Sequence, residues 1–296
     1  MQLNLPFSDS ARARPEPLRR QLLKWVGNKQ RFAPRIVSFF PRRFRTYFEP
    51  FLGSGAVLAT LSPAAAVGSD AFSPLVEIWQ TLASAPERLK QSYSERWELI
   101  REQGKEAAYE QIKQSFNTCP NGADLVFLCR ACYGGIVRFR KADGYMSTPC
   151  GPQRPISPKA FAERVDQWHA RVRRARFAHA DFADAMNEAK KGDLVYCDPP
   201  YVDTQRILYG AQAFSVERLF EAIARCKARG ARVALSIDGS KRSGDKVCDV
   251  PLPHGLFESE IAVDCGRSML RRFQMAGKTL ESEVVADRLL LTYALD

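Results

Sequence analysis

Short apolar runs rich in β-branched residues alternate along this chain with stretches of helical periodicity, and turn residues separate them. The apolar runs predict five strands, at 45–49, 64–69, 175–179, 194–197 and 232–237. The helical patterns predict helices that end at Phe40, begin near Ala56 and Pro74, and span 215–229. Two last runs, at 257–263 and 284–295, are expected to pair as an antiparallel ribbon. This order predicts an α/β fold with a Rossmann-like, doubly wound and mostly parallel sheet.

The middle of the chain has a different texture, with charged amphipathic helical segments and few buried-strand signals. Its exception is the run 136–140, which is expected to meet Tyr145 and Met146 across an Asp-Gly turn as a β-hairpin. We therefore predict a mainly helical insertion at 86–169 that carries this hairpin. Residues 21–85 and 170–296 would form the main domain, and residues 1–20 a loose lead-in.

Positive charge is concentrated in this insertion and just after it. The chain carries 44 Lys and Arg against 33 Asp and Glu, a formal net charge of +11. Between Arg130 and Arg176 there are eleven basic residues and three acidic ones. Such a concentration indicates a partner with a phosphate backbone, although a solvated basic face that keeps the protein soluble is the alternative.

The composition argues against several other classes of protein. No stretch approaches the roughly 18 apolar residues of a membrane span, and the start lacks a signal-peptide core, so we expect a cytoplasmic protein without membrane contact. Eight cysteines show no disulfide framework. Cys119, Cys129, Cys132 and Cys150 are too unevenly spaced for a convincing zinc site, and packing explains them better. With only three histidines in the chain, no metal is expected.

The run 194–197 ends in Asp198-Pro199-Pro200-Tyr201. Proline can neither donate to a strand ladder nor continue the element, so the backbone there is stiff and its carbonyls are free. A carboxylate, a free carbonyl and an aromatic ring at the end of a strand suit the binding of a flat base that bears an amino group. The alternative is an ordinary strand end followed by a proline-rich turn.

A glycine-rich turn, residues 49–55, joins the first predicted strand to the first helix after it. Gly53 and Gly55 permit a tight turn and the close approach of a ligand to the helix start. Asp70 ends the next strand, where an acidic residue commonly binds ribose hydroxyls, although it could simply cap the following helix. The turn lacks the GxGxxG pattern, which favours a small nucleoside cofactor over a dinucleotide.

Taken in order, the segments 24–29 (KWVGNK), 48–55 (FEPFLGSG) and 198–201 (DPPY), together with Asp70, resemble the Dam-like, D12 class N6-adenine DNA methyltransferases. The resemblance covers nearly the whole chain. It implies a class I methyltransferase fold and site-specific transfer of a methyl group from S-adenosyl-L-methionine to N6 of a flipped-out adenine in double-stranded DNA. It also implies that 86–169 recognises the target and that no metal takes part.

The resemblance implies roles for individual residues. The catalytic motif would comprise Asp198, Pro199, Pro200 and Tyr201. The cofactor would be bound by Trp25, Lys29, Glu49, Phe51, Gly53, Gly55, Asp70, Asp181, Phe182 and Asp198, with Asp181 and Phe182 flanking its adenine. DNA would be contacted by Tyr133, Arg138, Arg140 and Lys141, with the tyrosine as a wedge and Arg138 as the reader of a guanine edge.

The chain departs from the family pattern at Gly134, where the family often has Asn, and at 236–238, where Ser-Ile-Asp replaces the usual Ser-Asn. Other interpretations stay open. They are a cytosine-N4 or RNA adenine methyltransferase, a non-catalytic DNA-binding relative, and a protein methyltransferase of the NPPY type. A bacterial or phage origin is expected, with a cognate restriction endonuclease as a candidate partner.

Overall fold

The computed structural model describes residues 16–200, 214–241, 250–264 and 285–295. Within these ranges every strand predicted outside the hairpin at 136–146 forms a strand. They are β1 (Tyr47–Glu49), β2 (Ala66–Asp70), β3 (Ala175–His179), β4 (Leu194–Cys197), β5 (Arg232–Lys241), β6 (Ser259–Asp264) and β7 (Val285–Leu291). The local pattern therefore located each strand to within a few residues.

The strands form one sheet in the order β3-β2-β1-β4-β5-β7-β6. The first five strands of this order are parallel, whereas β7 pairs antiparallel with both β5 and β6. This confirms the predicted mixed α/β fold with a mostly parallel sheet and a closing antiparallel ribbon, the arrangement of a class I methyltransferase. Because β1 lies between β2 and β4, the loops after these three strands meet at one edge of the sheet.

Helices cover the sheet and fill the middle of the chain. They are α1 (Ala33–Ser38), α2 (Ala56–Leu61), α3 (Ser73–Ser84), α4 (Pro86–Gln103), α5 (Lys105–Thr118), α6 (Gly122–Ala131), α7 (Pro158–Val172), α8 (Phe182–Asn187) and α9 (Val216–Ala228). Side chains cap several of them at the start, as when Asn121 accepts a hydrogen bond from the amide of Asp124. Asp181 and Ser215 do the same for α8 and α9.

The helices α4 to α7 lie between β2 and β3 in sequence and share their core with the rest of the molecule. Tyr93 of α4 stacks on Phe161 of α7 at 3.9 Å between ring centroids. Trp168 of α7 lies 5.7 Å from Trp79 of α3. One continuous cluster of buried apolar side chains joins these helices to β1 and β4. The division of the chain at 86 and 169 stays a prediction.

The predicted hairpin in 136–146 is present as a ribbon with two isolated antiparallel bridges, Cys132 to Cys150 and Phe139 to Met146. Backbone hydrogen bonds cross it from the Arg140 amide to Tyr145 and from the Ser147 amide to Arg138, each at 2.9 Å, but the Thr148 hydroxyl takes the Arg138 amide and the Ile136 carbonyl, and no regular strand forms. The Asn117 side chain at the end of α5 bonds both the amide and the carbonyl of Met146, at 2.6 and 3.2 Å. Among the described helices, none is long and apolar enough to span a membrane.

Candidate active site

A cavity of about 550 Å³ opens at the carboxyl ends of β1, β2 and β4. It brings together most of the residues that the sequence predicted for the cofactor and the reaction. Those that line it are Trp25, Lys29, Glu49, Phe51, Gly53, Asp70, Asp181, Phe182, Asp198 and Pro200. Residues from both halves of the chain thus meet in one place.

The glycine-rich turn is held by Asp70, the last residue of β2. One carboxylate oxygen accepts a hydrogen bond from the Gly53 amide at 3.0 Å, and the other accepts one from the Phe72 amide at 3.1 Å. Burial raises the pKa of Asp70, although these amide bonds oppose the increase. Gly53 has a φ of +46°, a left-handed conformation that favours glycine. Asp70 therefore shapes the turn in addition to facing the cavity.

Gly55 does not line the cavity. It precedes α2 with a φ of +59°, and a Cβ atom at this position would lie 2.8 Å from the indole ring of Trp79. The Trp79 indole N–H donates to the carbonyl of Gly53 at 3.1 Å, so this ring holds the turn from behind. Close packing and backbone conformation account for glycine at position 55.

Lys29 links the catalytic motif to the last strands of the sheet. Its Nζ lies 2.9 Å from Oδ1 of Asp198 and 3.3 Å from Oδ2 of Asp287 on β7, and all three side chains are largely buried. Burial alone would lower the pKa of Lys29, but the two carboxylates outweigh it and hold this pKa above its usual value. Lys29 therefore stays a cation between two anions.

Glu49, the last residue of β1, is a buried acid that lines the cavity. Burial is the main cause that raises its pKa to about 8, and repulsion from Asp198 adds to the increase. The hydroxyl of Tyr47 donates to Oε2 of Glu49 at 2.7 Å, which opposes the increase. At neutral pH the Glu49 carboxyl is thus mainly protonated.

Aromatic rings form one end of the cavity. Phe51 stacks on Phe182 with ring centroids 5.1 Å apart, and Phe214 lies 5.9 Å from each of them. The Arg218 guanidinium sits 5.0 Å from the centre of the Phe182 ring and pairs with Asp181 at 3.0 Å. These flat apolar faces beside polar groups suit the ring system of a nucleoside.

Trp25 lines the cavity between the glycine-rich turn and the lining residues that come from 86–169. Its ring stacks on Phe72 at 6.3 Å, and a Cβ atom at Gly53 would lie 3.5 Å from the Trp25 indole.

In the motif 198–201, Asp198 and Pro200 face the cavity whereas Pro199 is buried. Tyr201, the motif's aromatic residue, lies outside the described residues.

The four predicted DNA-contacting residues are exposed and lie outside the cavity lining. They are Tyr133, Arg138, Arg140 and Lys141. Tyr133 is 49% exposed, which is unusual for a large aromatic side chain. Arg140 pairs with Asp143 through two hydrogen bonds and lies 4.3 Å from the centre of the Tyr145 ring. An exposed aromatic ring beside exposed arginines agrees with a nucleic-acid contact.

Sequence reasoning missed a group of residues that complete the cavity from the middle of the chain. They are Phe72, Phe116, Asn117, Phe139, Asp143, Gly144 and Tyr145, together with Phe214 after β4. Phe139 packs edge-on against Phe72 at 5.4 Å and lies 6.3 Å from Phe116. Alternation along the hairpin could have singled out Phe139, because it points opposite to the exposed residues on either side of it.

Cys129, Cys132 and one predicted contributor to the basic patch, Arg130, are buried. Burial raises the pKa of Cys129 to about 11, and it also raises the pKa of Cys132. Within the described ranges, no three His, Cys, Asp or Glu side chains are grouped so as to hold a metal ion. Arg130 is 5% exposed and donates to the carbonyls of Gln21 and Leu22, so it does not contribute to the exposed charge.

Known proteins similar to this chain are DNA methyltransferases. Residues 25–249 match the model of the D12 class N6 adenine-specific DNA methyltransferases. A Type II methyltransferase, M1.LlaDCHI of Lactococcus lactis subsp. cremoris, is 25% identical over 238 residues, which cover 75% of this chain and 82% of that protein.

Two relatives carry the name DNA adenine methylase. The Retron Ec67 DNA adenine methylase of Escherichia coli is 29% identical over 190 residues, 62% of this chain and 64% of that enzyme. The DNA adenine methylase of Salmonella typhi is 29% identical over 191 residues, 62% of this chain and 65% of its own length. The aligned part thus spans slightly less than two thirds of these two enzymes. The family model matches most of the chain, including the motifs that line the cavity. The chain therefore belongs to the D12 class N6 adenine-specific DNA methyltransferases.

Proposed function

We propose that this protein transfers a methyl group from S-adenosyl-L-methionine to N6 of an adenine flipped out of double-stranded DNA at a specific sequence. The observation that supports this most directly is the position of Asp198. It lies on the cavity wall, paired with Lys29 at 2.9 Å, in the same cavity as the Gly53 turn and Asp70. An acceptor for an amino group and a nucleoside-sized site therefore share one space.

The cavity fits the methyl donor that the family implies. Asp70 lies where it can accept hydrogen bonds from ribose hydroxyls, and the Phe51 and Phe182 rings offer apolar faces to an adenine. Trp25, Glu49 and Lys29 line the remaining wall towards Asp198. The bound donor supplies an electrophilic methyl group on a sulfonium, and a negatively charged Asp198 beside it favours such a cation electrostatically.

The protein's own part in the reaction is to hold the adenine amino group. The Asp198 carboxylate and the Pro199 carbonyl would accept hydrogen bonds from its two N–H groups, and Tyr201 would stack on the base. Two acceptors favour a more tetrahedral nitrogen, which localises the lone pair towards the methyl group. Lys29 fixes the position of Asp198, so the acceptor needs little reorganisation when the base arrives.

The DNA contacts and the division of the chain belong to the same proposal. The base must leave the duplex, at a cost of about a few kcal/mol of stacking energy. Tyr133 would wedge into the gap, while Arg138, Arg140 and Lys141 contact bases and phosphates. The block 86–169 would be the target-recognition insertion on the catalytic domain formed by 21–85 and 170–296.

The biological setting is also a proposal. A protein that methylates genomic or phage DNA works in the cytoplasm, where that DNA is. The name of the Lactococcus relative, a Type II methyltransferase, is compatible with a restriction-modification role, in which a cognate endonuclease would share the recognised sequence.

The decisive experiment replaces Asp198 and maps methylation. We expect Asp198→Ala to lower the rate of methyl transfer by at least about 10³-fold, because the base loses its charged acceptor. DNA affinity should change by less than about 3-fold, since Asp198 lies inside the cavity and away from the exposed cations. The assay is transfer of a labelled methyl group to bacterial DNA, followed by nucleoside analysis of the product.

A matched control is Asp193→Asn, which changes a buried acid at the other end of β4. Asp193 accepts hydrogen bonds from the amides of Thr46 and Lys190 and lies away from the cavity. This variant should keep its methyl transfer at the temperatures where it is folded. Full activity of Asp198→Ala, or N4-methylcytosine as the product of the unaltered protein, would contradict the proposal.

A further inference from the structure

A cluster of exposed cations lies at the edge of the sheet opposite the candidate active site. We call Arg42, Arg45, Lys190, Lys191 and Arg232 the amino-edge cations. Arg42 and Arg45 precede β1, Lys190 and Lys191 precede β4, and Arg232 begins β5. Because these three strands are parallel neighbours, their amino ends meet at one edge, and the catalytic cavity lies at the other.

The segments that carry these cations touch one another. The Arg45 amide donates to the carbonyl of Gly192 at 2.8 Å, and the Gly192 amide donates to that of Gly230 at 3.1 Å. A Cβ atom at Gly192 would lie 3.3 Å from Cδ of Arg45, and one at Gly230 would lie 3.1 Å from Cγ of Lys191. The basic side chains therefore extend side by side over two glycines.

No carboxylate of the described residues pairs with this cluster. In the part of the chain that the structure describes, none of the five amino-edge cations forms an ion pair with a carboxylate. Two acids lie within two residues of these cations in sequence. One of them, Asp193, is buried and accepts from the backbone amides of Thr46 and Lys190. Glu188 instead pairs with Arg176.

Cations elsewhere on the surface are commonly paired. On α4, Lys90 pairs with Glu87 and Asp166, and Arg101 pairs with Glu98. A set of five like charges without such pairs is electrostatically costly, and an anionic partner would remove that cost. Arg173 and Arg174, both exposed, precede β3 and extend the same edge of positive charge.

We propose that the amino-edge cations bind the phosphate backbone of a second duplex, separate from the duplex that enters the active site. Neighbouring strands lie about 4.8 Å apart, so the row from β1 through β4 to β5 is about 10 Å long. A DNA duplex carries one negative charge per about 1.7 Å of its axis, so such a row faces several phosphates.

The same duplex cannot serve both edges of the sheet. Lys191, before β4, and Asp198, after it, are seven residues apart, a length of about 23 Å, and DNA is stiff over about 150 base pairs. A second contact therefore holds a neighbouring segment of DNA while the first segment occupies the active site. This second binding site goes beyond the proposed function, and it rests on that function only in taking DNA as the partner. Its consequence is transfer between segments of a long DNA without full dissociation.

The test compares two variants that each remove three positive charges. The first is Arg45→Gln/Lys190→Gln/Arg232→Gln. Its control is Arg225→Gln/Lys227→Gln/Arg288→Gln, which lies outside 86–169 and the cavity lining and removes three cations that each pair with a carboxylate. The probe is a short duplex made only of G·C pairs, with its binding stoichiometry measured by sedimentation at low salt. We expect two duplexes per chain for the unaltered protein and the control, and one for the amino-edge variant.

Salt dependence and activity complete the test. For the second duplex bound by the unaltered protein, log K should decrease with log salt by about 0.9 for each phosphate that the amino-edge cations neutralise. Methyl transfer to a short duplex should stay unchanged, while methylations per encounter on long DNA should decrease in the amino-edge variant only.

Three outcomes would overturn the second binding site. They are an unchanged stoichiometry in the amino-edge variant, an equal decrease in the control with the paired cations removed, and a loss of methyl transfer to the short duplex. Two bound duplexes without any methyl transfer by the unaltered protein would instead reject the proposed function alone.

Discussion

Glu49 shows how one side chain acquires a property that its residue type does not have. The same carboxyl would titrate near 4.5 in an exposed position, and burial in the cavity raises its pKa to about 8. Asp198, directly after the adjacent strand β4, pairs with Lys29 at 2.9 Å. A mainly neutral Glu49 at neutral pH limits the negative charge that accumulates in the cavity.

This pKa predicts a pH dependence of stability. Between pH 4.5 and 8 the folded protein keeps the Glu49 proton and the unfolded chain releases it, so the Glu49 contribution to stability falls as pH rises. The slope from this group is at most about 1.4 kcal/mol per pH unit. Denaturant unfolding of Glu49→Gln should show a smaller decrease between pH 5 and 8 than the unaltered protein.

The exposed α4 residue Glu102 supplies the control, because Glu102→Gln changes the same residue type far from the cavity. This variant should follow the pH dependence of the unaltered protein. If Glu49→Gln and Glu102→Gln show the same dependence, then Glu49 is ionised in the folded protein at pH 5 to 8 and the assignment is wrong.

At the scale of elements, the glycine turn before α2 has two distinct requirements. Gly53 must leave room for the Trp25 indole and present its amide to Asp70. Gly55 must adopt a φ of +59° directly against the Trp79 ring. The sequence predicted a ligand-binding role for both glycines, but only the packing distinguishes the one at the cavity from the one behind it.

Gly55→Ala should therefore destabilise the protein more than a glycine substitution with open surroundings. Gly144 has a similar φ of +68°, and a Cβ atom there would meet nothing within 4 Å. Gly144→Ala adds only backbone strain of about 1–2 kcal/mol. Gly55→Ala adds a clash with a buried ring, worth about 1–3 kcal/mol more. Urea unfolding of both variants measures this difference, and equal destabilisation would show that Trp79 moves aside.

The hairpin illustrates what local patterns can predict about an element. The Asp-Gly pair correctly indicated a reversal of the chain near 143–144, and the bridge between Phe139 and Met146 follows from it. Regular strands do not form there, since Asn117 and Thr148 take up backbone groups that a ladder would use. Such side-chain bonds depend on distant helices and leave no periodic signal.

At the scale of the whole molecule, the described core is shared between the sheet and the helices α4 to α7. The Trp168 indole donates to the carbonyl of Arg20 in the lead-in, and its ring packs near Trp79. Tyr93 and Phe161 extend this cluster away from the sheet. The predicted insertion thus buries its apolar residues against the main domain and has no separate core within the described ranges.

We therefore expect the full chain to unfold in one cooperative transition. Calorimetric and van't Hoff enthalpies should agree, and far-UV circular dichroism and tryptophan fluorescence should report the same midpoint. Trp168→Ala should lower that single midpoint, by about 3–5 kcal/mol in stability. Two separated transitions, with only one shifted by Trp168→Ala, would indicate that 86–169 folds as an independent domain.

The sequence by itself determined the order of strands and helices and the motifs that end β1, β2 and β4. These follow from short-range effects, namely side-chain periodicity and the backbone limits of proline and glycine. Only the tertiary structure decided that Asp287, 89 residues after Asp198, shares its Lys29 partner. It also decided the proton on Glu49 and the aromatic wall that Phe139 completes. Desolvation and ion pairing depend on the burial created by distant segments together, which no local pattern contains.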